Sequence, residues 1–367
     1  MEIPSQSDQI LELIAVMGEL PTVALSRLSI KKSYRYKLVE GLKKKKLIKL
    51  YTRDKLRGYR LTFRARELLM ARNPSRFGFF LTGNAETNKN LTEYKRRLRL
   101  HSTAEAVITL INAGTTVFPD KKPALFSETP SATAKSPEAS FYFSREMKNL
   151  GLEHLKIRSS RAAGVLFTEN EILLTYNTGN NLMRWEYQTE LRCKALLTSR
   201  FCQNSKTAVY GDANVGGLML GAGMDMVLPL LTSRGGNRRQ YFRMDGTFEH
   251  FYYAPNTREG ETQVRILCAK GVRSSLRDLL VFDLAPKRPG LRVEHDAVSA
   301  EGTPVLLAFG CDLERIRRFH DALELLGQSG IVYCFEFQKP PLEKYLGSLA
   351  QFQTIDLKKT ERRFFGT

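Results

Sequence analysis

Between Lys31 and Arg66 the chain carries fifteen Lys or Arg residues against two acids, Glu40 and Asp54. About a tenth of the 367 residues therefore supplies +13 of a net charge of +19. Ammonium and guanidinium groups at that density neutralise a polyanion, and a row of phosphates is the partner such a cluster fits best. Residue sets able to do covalent chemistry are much thinner. The five histidines, His101, His154, His250, His295 and His320, are scattered with no H-x-H pair, so a histidine metal site beside a tyrosine nucleophile is not written in the spacing. His250 lies next to Phe251, Tyr252 and Tyr253, where a packed strand residue is the plainer reading than a catalyst. Metal-dependent nucleases need an Asp and an E-x-K pair on neighbouring strands to hold Mg²⁺ and activate water. The nearest sets, Asp283 and Glu336 with Lys339, have E-x-x-K spacing, which puts the two side chains on opposite faces of a strand. The glycines from Gly216 to Gly223 lack a following GK[ST], so they read as a tight turn with close backbone packing rather than a phosphate loop. No catalytic residue, metal ligand or cofactor is expected.

Composition bounds the rest. With 42% hydrophobic residues the chain can bury proper cores, and its length allows two or three domains. Apolar runs such as Leu218 to Leu220 and Val305 to Phe309 are far too short to span a bilayer. Ser5, Gln6, Ser7 and Asp8 occupy the place of an apolar leader segment, so a cytoplasmic protein without membrane contact is expected. Five cysteines with no C-x-x-C pair read as reduced thiols in cores rather than disulfides or zinc ligands. A pI near 9.7 adds weight to nucleic acid as the partner.

The elements that would carry the cations follow from periodicity. Ser7 is a candidate cap for a helix with Ile10, Leu11, Leu13, Ile14 and Met17 on one face, and Gly18 ends it. Pro21 suits the first turn of a second helix holding Val23, Leu25 and Leu28. A third helix is expected from Lys31 to about Lys46, with Tyr34, Leu38 and Leu42 turned inward. A hairpin follows, with strands 47–51 and 59–62 and a tip at 53–58; Thr62 then caps a helix from Phe63 to Met70. Helix, helix, basic helix, hairpin, helix is the order of a winged helix-turn-helix. The string GYRLTFRARELL resembles the wing-to-helix segment of that DNA-binding superfamily, with Arg64-Ala65 near where many members carry glycine. The resemblance implies that the third helix enters a major groove and the wing lies along the backbone. On that reading Lys31, Lys32, Ser33, Tyr34, Arg35, Tyr36 and Lys37 face DNA, with Arg35 able to grip guanine through two hydrogen bonds. Lys43, Lys44, Lys45, Lys46, Arg53, Lys55, Arg57 and Arg60 then hold phosphates.

Further along, a polar stretch at 83–88 precedes a basic helix within 91–114, which either extends the basic surface or packs on the wing. A Ser-, Ala- and Pro-rich loop at 127–140 follows. Beyond it the texture is α/β. A hairpin is expected around Thr168 to Glu171, a helix from Trp185 to Phe201, a short strand from Thr207 to Tyr210, and a β-α-β unit over 304–337 with a helix started by Pro341. The expected fold class is α+β or α/β: an N-terminal winged helix (1–75), a linker with a basic connecting helix (76–140), and a larger α/β domain with a mixed sheet (141–367) showing no internal repeat. This plan, the wing segment and the helix KRRLRLHSTAEAVITLINAG resemble the replication-relaxation family of bacterial plasmids and conjugative elements. That resemblance implies a sequence-directed double-stranded DNA-binding protein acting in replication, DNA transfer or its control, with a second copy of itself and other mobile-element proteins as further partners. Two alternatives stand beside it: a transcriptional regulator with a ligand-sensing or oligomerising C-terminal domain, and a nuclease or nicking enzyme.

Overall fold

The computed structural model describes residues 5–83, 86–87, 93–126, 138–149, 160–203, 210, 213–236 and 240–366. They form two compact units of helices and sheets. The described residues up to 112, with 116–126, make the first; 113–115 and those from 138 onward make the second. The first unit thus runs well past the expected limit at 75 and takes in the helix anticipated as a connector.

In the first unit, α1 (Gln6–Met17) starts two residues earlier than the expected cap at Ser7 implied. Ser5 rather than Ser7 caps it, accepting from the Asp8 amide while the Asp8 carboxylate accepts from the Ser5 amide. Every residue from Ile10 to Met17 is buried, including Glu12, whose carboxylate accepts from Arg76 at 2.9 Å. Gly18, at φ 76°, ends the helix. The expected second helix does not form. Leu20–Pro21 is instead a short strand, β1, and Val23–Arg27 is one 3₁₀ turn with Val23 70% exposed. Proline costs little there because a strand edge leaves its missing N–H unneeded. Next come α2 (Lys32–Lys44), β2 (Ile48–Arg53) and β3 (Leu56–Leu61), the strands pairing antiparallel in the order β1-β3-β2. Asp54 and Lys55, at φ 51° and 63°, make a two-residue turn, tighter than the expected 53–58 tip and of the twist that suits a hairpin. Three helices complete the unit: α3 (Phe63–Arg72) capped by Thr62, α4 (Pro74–Leu81) capped by Asn73, and α5 (Tyr94–Asn112).

The second unit contains two mixed sheets where one was expected. In the first sheet, β4 (Ser140–Phe143), β5 (Gly164–Phe167) and β6 (Glu171–Gly179) run antiparallel. Helix α6 (Tyr187–Thr198) then leads to parallel β7 (Asn214–Gly221), and α7 (Val227–Thr232) to parallel β8 (Phe251–Pro255). Helices α8 (Arg258–Cys268) and α9 (Val272–Leu280) follow. The second sheet repeats this plan. Strands β9 (Ala285–Pro286), β10 (Ala297–Val298) and β11 (Pro304–Leu307) are antiparallel. Helix α10 (Leu313–Leu326) leads to parallel β12 (Gly330–Phe335), α11 (Lys339–Leu346) to parallel β13 (Ala350–Ile355), and α12 (Leu357–Phe365) closes the half. Strand order and connections are the same in both sheets, so the chain does carry an internal repeat, one of topology. Helices in matching positions meet across the unit: α7 packs on α11 and α8 on α12. Ile266 and Leu276, from α8 and α9, share a core with Val305, Leu307, Phe335 and Ile355 of the second sheet.

The β5–β6 hairpin and the β11-α10-β12 unit lie where the sequence pattern put them. Residues 207–209 of the expected short strand, 127–137 of the expected loop, and 84–85 and 88 of the expected polar linker fall outside the described residues. The five cysteines are free thiols, four of them buried and Cys202 half-buried. Among the described residues no helix is long and apolar enough to cross a membrane.

Candidate nucleic-acid interface

The hairpin is fixed from behind by a buried ionic cluster that sequence reasoning missed. Glu19, fully buried just after α1, accepts from Arg60 on β3 through Nε at 2.9 Å and Nη2 at 2.7 Å. It accepts from Arg97 on α5 through Nε at 3.1 Å and Nη2 at 2.5 Å, and hydrogen-bonds His101 Nε2 at 2.8 Å. Burial alone would push this carboxyl up; hydrogen bonds from His101, Arg97 and Arg60, with the charge of Arg60, overcome it and hold the group at about 2. Arg97 also donates to the backbone carbonyls of Arg53 at 2.8 Å and Leu56 at 3.1 Å, on either side of the turn. Both guanidinium groups lie over the Tyr51 ring, 3.9 Å for Arg60 and 4.6 Å for Arg97. Gly58 makes the approach possible: a Cβ there would sit 2.5 Å from Cγ and Oε1 of Glu19.

Arg60, expected among the phosphate contacts, is instead turned to Glu19. It is 8% exposed and its charge is taken up by Glu19. Of the two expectations for the basic helix, packing against the hairpin is met by Arg97 of α5, while Lys95, Arg96 and Arg99 are exposed. A period-based reading could have found Arg97 only by asking why a cation falls on the same side of that helix as Ala104 and Ile108.

Most of the remaining cations of α2 and the hairpin are exposed. Lys31, Lys32, Ser33, Tyr34, Tyr36 and Lys37 are exposed, as are Lys44, Lys45, Lys46, Lys49, Arg53, Lys55 and Arg57. The inward stripe of α2 is Leu38, Val39 and Leu42; Tyr34, expected in it, is 48% exposed because it lies in the first turn, beyond the edge of the α1 core. Arg35 is half-buried and its Nη2 donates to the Ile30 carbonyl at 3.2 Å, so its guanidinium is turned to the start of its own helix. Lys43 pairs with Glu40 at 2.8 Å, and Arg53 with Asp54 at 3.5 Å. Half-buried Tyr59 ties the two elements together: burial raises its phenol, Lys43 and Arg57 pull it down, and Tyr36 lies close enough to act on it. Arg57 shares the Tyr59 side of the ribbon, whereas Lys49 and Arg53 lie on the side of Tyr51 and Arg60. Thr62 fixes the corner between α2 and the hairpin by donating to the Lys46 carbonyl at 2.7 Å.

The sites considered for catalysis do not assemble. His250 hydrogen-bonds Asp312 at 2.7 Å and stacks on Tyr252, whose hydroxyl donates to Glu171 at 2.6 Å. Asp312 meanwhile accepts from the Phe251 amide and caps α10, so the trio joins the two sheets. His295 is buried between the Val293 carbonyl and the Arg288 amide, His320 lies beside Asp321 and Tyr345, and His154 is outside the described residues. Asp283 is exposed beyond α9, and Glu336 sits in a 3₁₀ turn after β12, not on a strand. Gly216 and Gly217 lie within β7 rather than in a turn; a Cβ at Gly217 would meet the Phe251 ring at 2.5 Å. Arg234, just after α7, is exposed, and residues 237–239 are outside the described set. Among the described residues no group of three or more His, Cys, Asp or Glu is placed to hold a metal. Compared with protein-family models, curated proteins and solved structures, the chain matches none.

Proposed function

We propose that the chain is a double-stranded DNA-binding protein whose first unit is a winged helix, with α2 as the recognition helix and β2–β3 as the wing. The observation that carries this reading is the concentration of exposed cations on α2 and the hairpin. For most of these cations no ion pair is found among the described residues, while Arg60 and Arg97 are taken up in holding the hairpin. A pre-ordered basic face loses little entropy on meeting a phosphate backbone, and each phosphate it neutralises releases counterions. The exposed Ser33, Tyr36 and Lys37 take the base-edge role, and Arg35 serves to anchor the helix start. The resemblance to replication-relaxation proteins extends the proposal to DNA of a plasmid or conjugative element, in its replication, its transfer or their control.

The test is a mobility shift with duplexes flanking the gene itself, against random duplex as competitor. Lys37→Ala should weaken binding to the preferred duplex by about 1–3 kcal/mol and leave random duplex nearly unchanged. Equal weakening on both duplexes removes the base-reading role.

The regulator alternative draws on one feature. A cleft of about 460 Å³ lies in the second unit, lined by Glu171, Tyr252, Arg273, Arg277, Asp296 and Arg315, at the meeting of the two sheets. A small polar effector bound there is the form that alternative takes. A regulator binds its own promoter, whereas an initiator binds repeated origin sites, and the same mobility shift separates them.

A further inference from the structure

The second unit also carries a basic surface, and its cations are placed differently from those of α10. Helix α12 holds Lys358, Lys359, Arg362 and Arg363, all exposed. At 100° per residue these positions, two adjacent pairs four residues apart, fall in one strip along the helix. The opposite side of α12 is anchored. Leu357, Phe364 and Phe365 pack on the core of the second half, Thr360 is buried, the Arg265 guanidinium lies 4.0 Å over the Phe365 ring, and Glu361 accepts from Thr262 at 3.3 Å. The strip is therefore held facing solvent.

Two comparisons set it apart from ordinary surface charge. The arginines of α10 are all neutralised: Arg315 pairs with Glu294 and Asp296, Arg317 with Glu314, and Arg318 with Glu294. No ion pair of that kind is found among the described residues for the four cations of α12; Asp356, on which the charges of Lys359 and Arg362 act, caps the helix by accepting from the Lys359 amide. The lysines are also unfavourably placed for the isolated helix, whereas Arg362 and Arg363 stand in its last turn, where the dipole favours them. Lys358 and Lys359 stand in the first turn, against the positive end of the helix dipole, and each faces a like charge four residues on. Two lysines set against their own helix dipole, in a strip without ion pairs among the described residues, suit an external polyanion.

We infer that the α12 strip is a second contact for the phosphate backbone of duplex DNA, independent of the face on the first unit. The inference rests on the DNA-binding reading only for the identity of the polyanion. Four unpaired cations along one helical strip contact phosphates without reading bases, so the strip adds affinity and salt dependence but no sequence preference.

The test uses the full chain and fluorescence anisotropy on a labelled long duplex across a salt series. Four proteins are compared: wild type, K358Q/K359Q/R362Q/R363Q, K44Q/K45Q/K46Q, and the combination. Circular dichroism and thermal melting of each confirm folding, which removing like charges from an exposed strip should leave intact. The expected result is a log–log salt slope shallower by about 0.9 for each phosphate that α12 no longer neutralises, whether or not the substitutions at Lys44–Lys46 change it as well. An α12 effect with no effect at Lys44–Lys46 would retain this strip and reject the first-unit face. An unchanged slope for the α12 variant, no binding of duplex by wild type, or an equal weakening on polyglutamate would overturn the inference.

Discussion

Replacing Glu19 with Gln probes the device that orders the hairpin. The carboxylate is fully buried and takes hydrogen bonds from two arginines and His101. A glutamine amide keeps the shape but turns an N–H₂ toward one guanidinium and leaves two buried cations without a counter-charge. Breaking a buried ion pair on one side costs about 3–5 kcal/mol. The ionisation of Glu19 gives a second route to the magnitude: holding the carboxyl near 2 against an ordinary 4.5 corresponds to about 3 kcal/mol at roughly 1.4 kcal/mol per unit. Because the folded-state value is the lower one, this stabilisation is complete above pH 4.5 and drains away as the pH falls toward 2. Urea unfolding followed by far-UV circular dichroism should show E19Q weaker than wild type by about 3 kcal/mol or more at pH 7, with a smaller gap at pH 3. Hydrogen exchange of peptides covering Ile48–Leu61 should quicken in the variant, since Arg97 loses its anchor beside the Arg53 and Leu56 carbonyls. A neutral-pH change within about 0.5 kcal/mol, as for an ordinary surface substitution, would refute the assignment of the cluster as the hairpin's support.

Two further outcomes follow from side-chain packing elsewhere. Gly58→Ala drives a methyl into Cγ and Oε1 of Glu19, so it should destabilise by about 1–3 kcal/mol and loosen the same hairpin amides, with normal exchange in the variant counting against the close approach. The Asp312 hydrogen bond raises His250, burial opposes it, and the charges of Asp312, Glu171 and Glu249 add to the rise. That contribution is full below the ordinary histidine value of 6.5 and is lost as pH rises through the folded-state value. Asp312→Asn keeps the cap on α10 but should lower the His250 titration midpoint seen by NMR and flatten this pH dependence; an unmoved midpoint would remove Asp312 as the cause.

What the sequence disclosed depended on the length of the signal. The N-terminal helix, α2, the hairpin and the β11-α10-β12 unit each carry several periods of apolar spacing or a strong turn or cap, and each was legible. Five residues from Val23 to Arg27 could not settle between a helix and one 3₁₀ turn, and the bridge of Leu20–Pro21 to Tyr59 and Gly58 is a pairing no local pattern announces. Strands β9 and β10 are two residues each, too short to alternate, so the second sheet and the topological repeat stayed hidden. Counting charge identified the basic region but not its sides. Arg60 and Lys49 look alike in sequence, yet one is buried against Glu19 and the other exposed, because pairing partners 41 residues apart decide it.

The central claim is that the exposed cations of α2 and the hairpin bind phosphates. Its most direct measurement is the salt dependence of duplex binding by the full chain, wild type against a variant with Lys31, Lys32, Lys45, Lys55 and Arg57 changed to Gln. Phosphate binding by this face predicts that log affinity falls steeply with log salt for wild type, and that the variant's slope is shallower by about 0.9 for each phosphate no longer neutralised. Identical slopes, or wild-type binding that ignores salt, would contradict it.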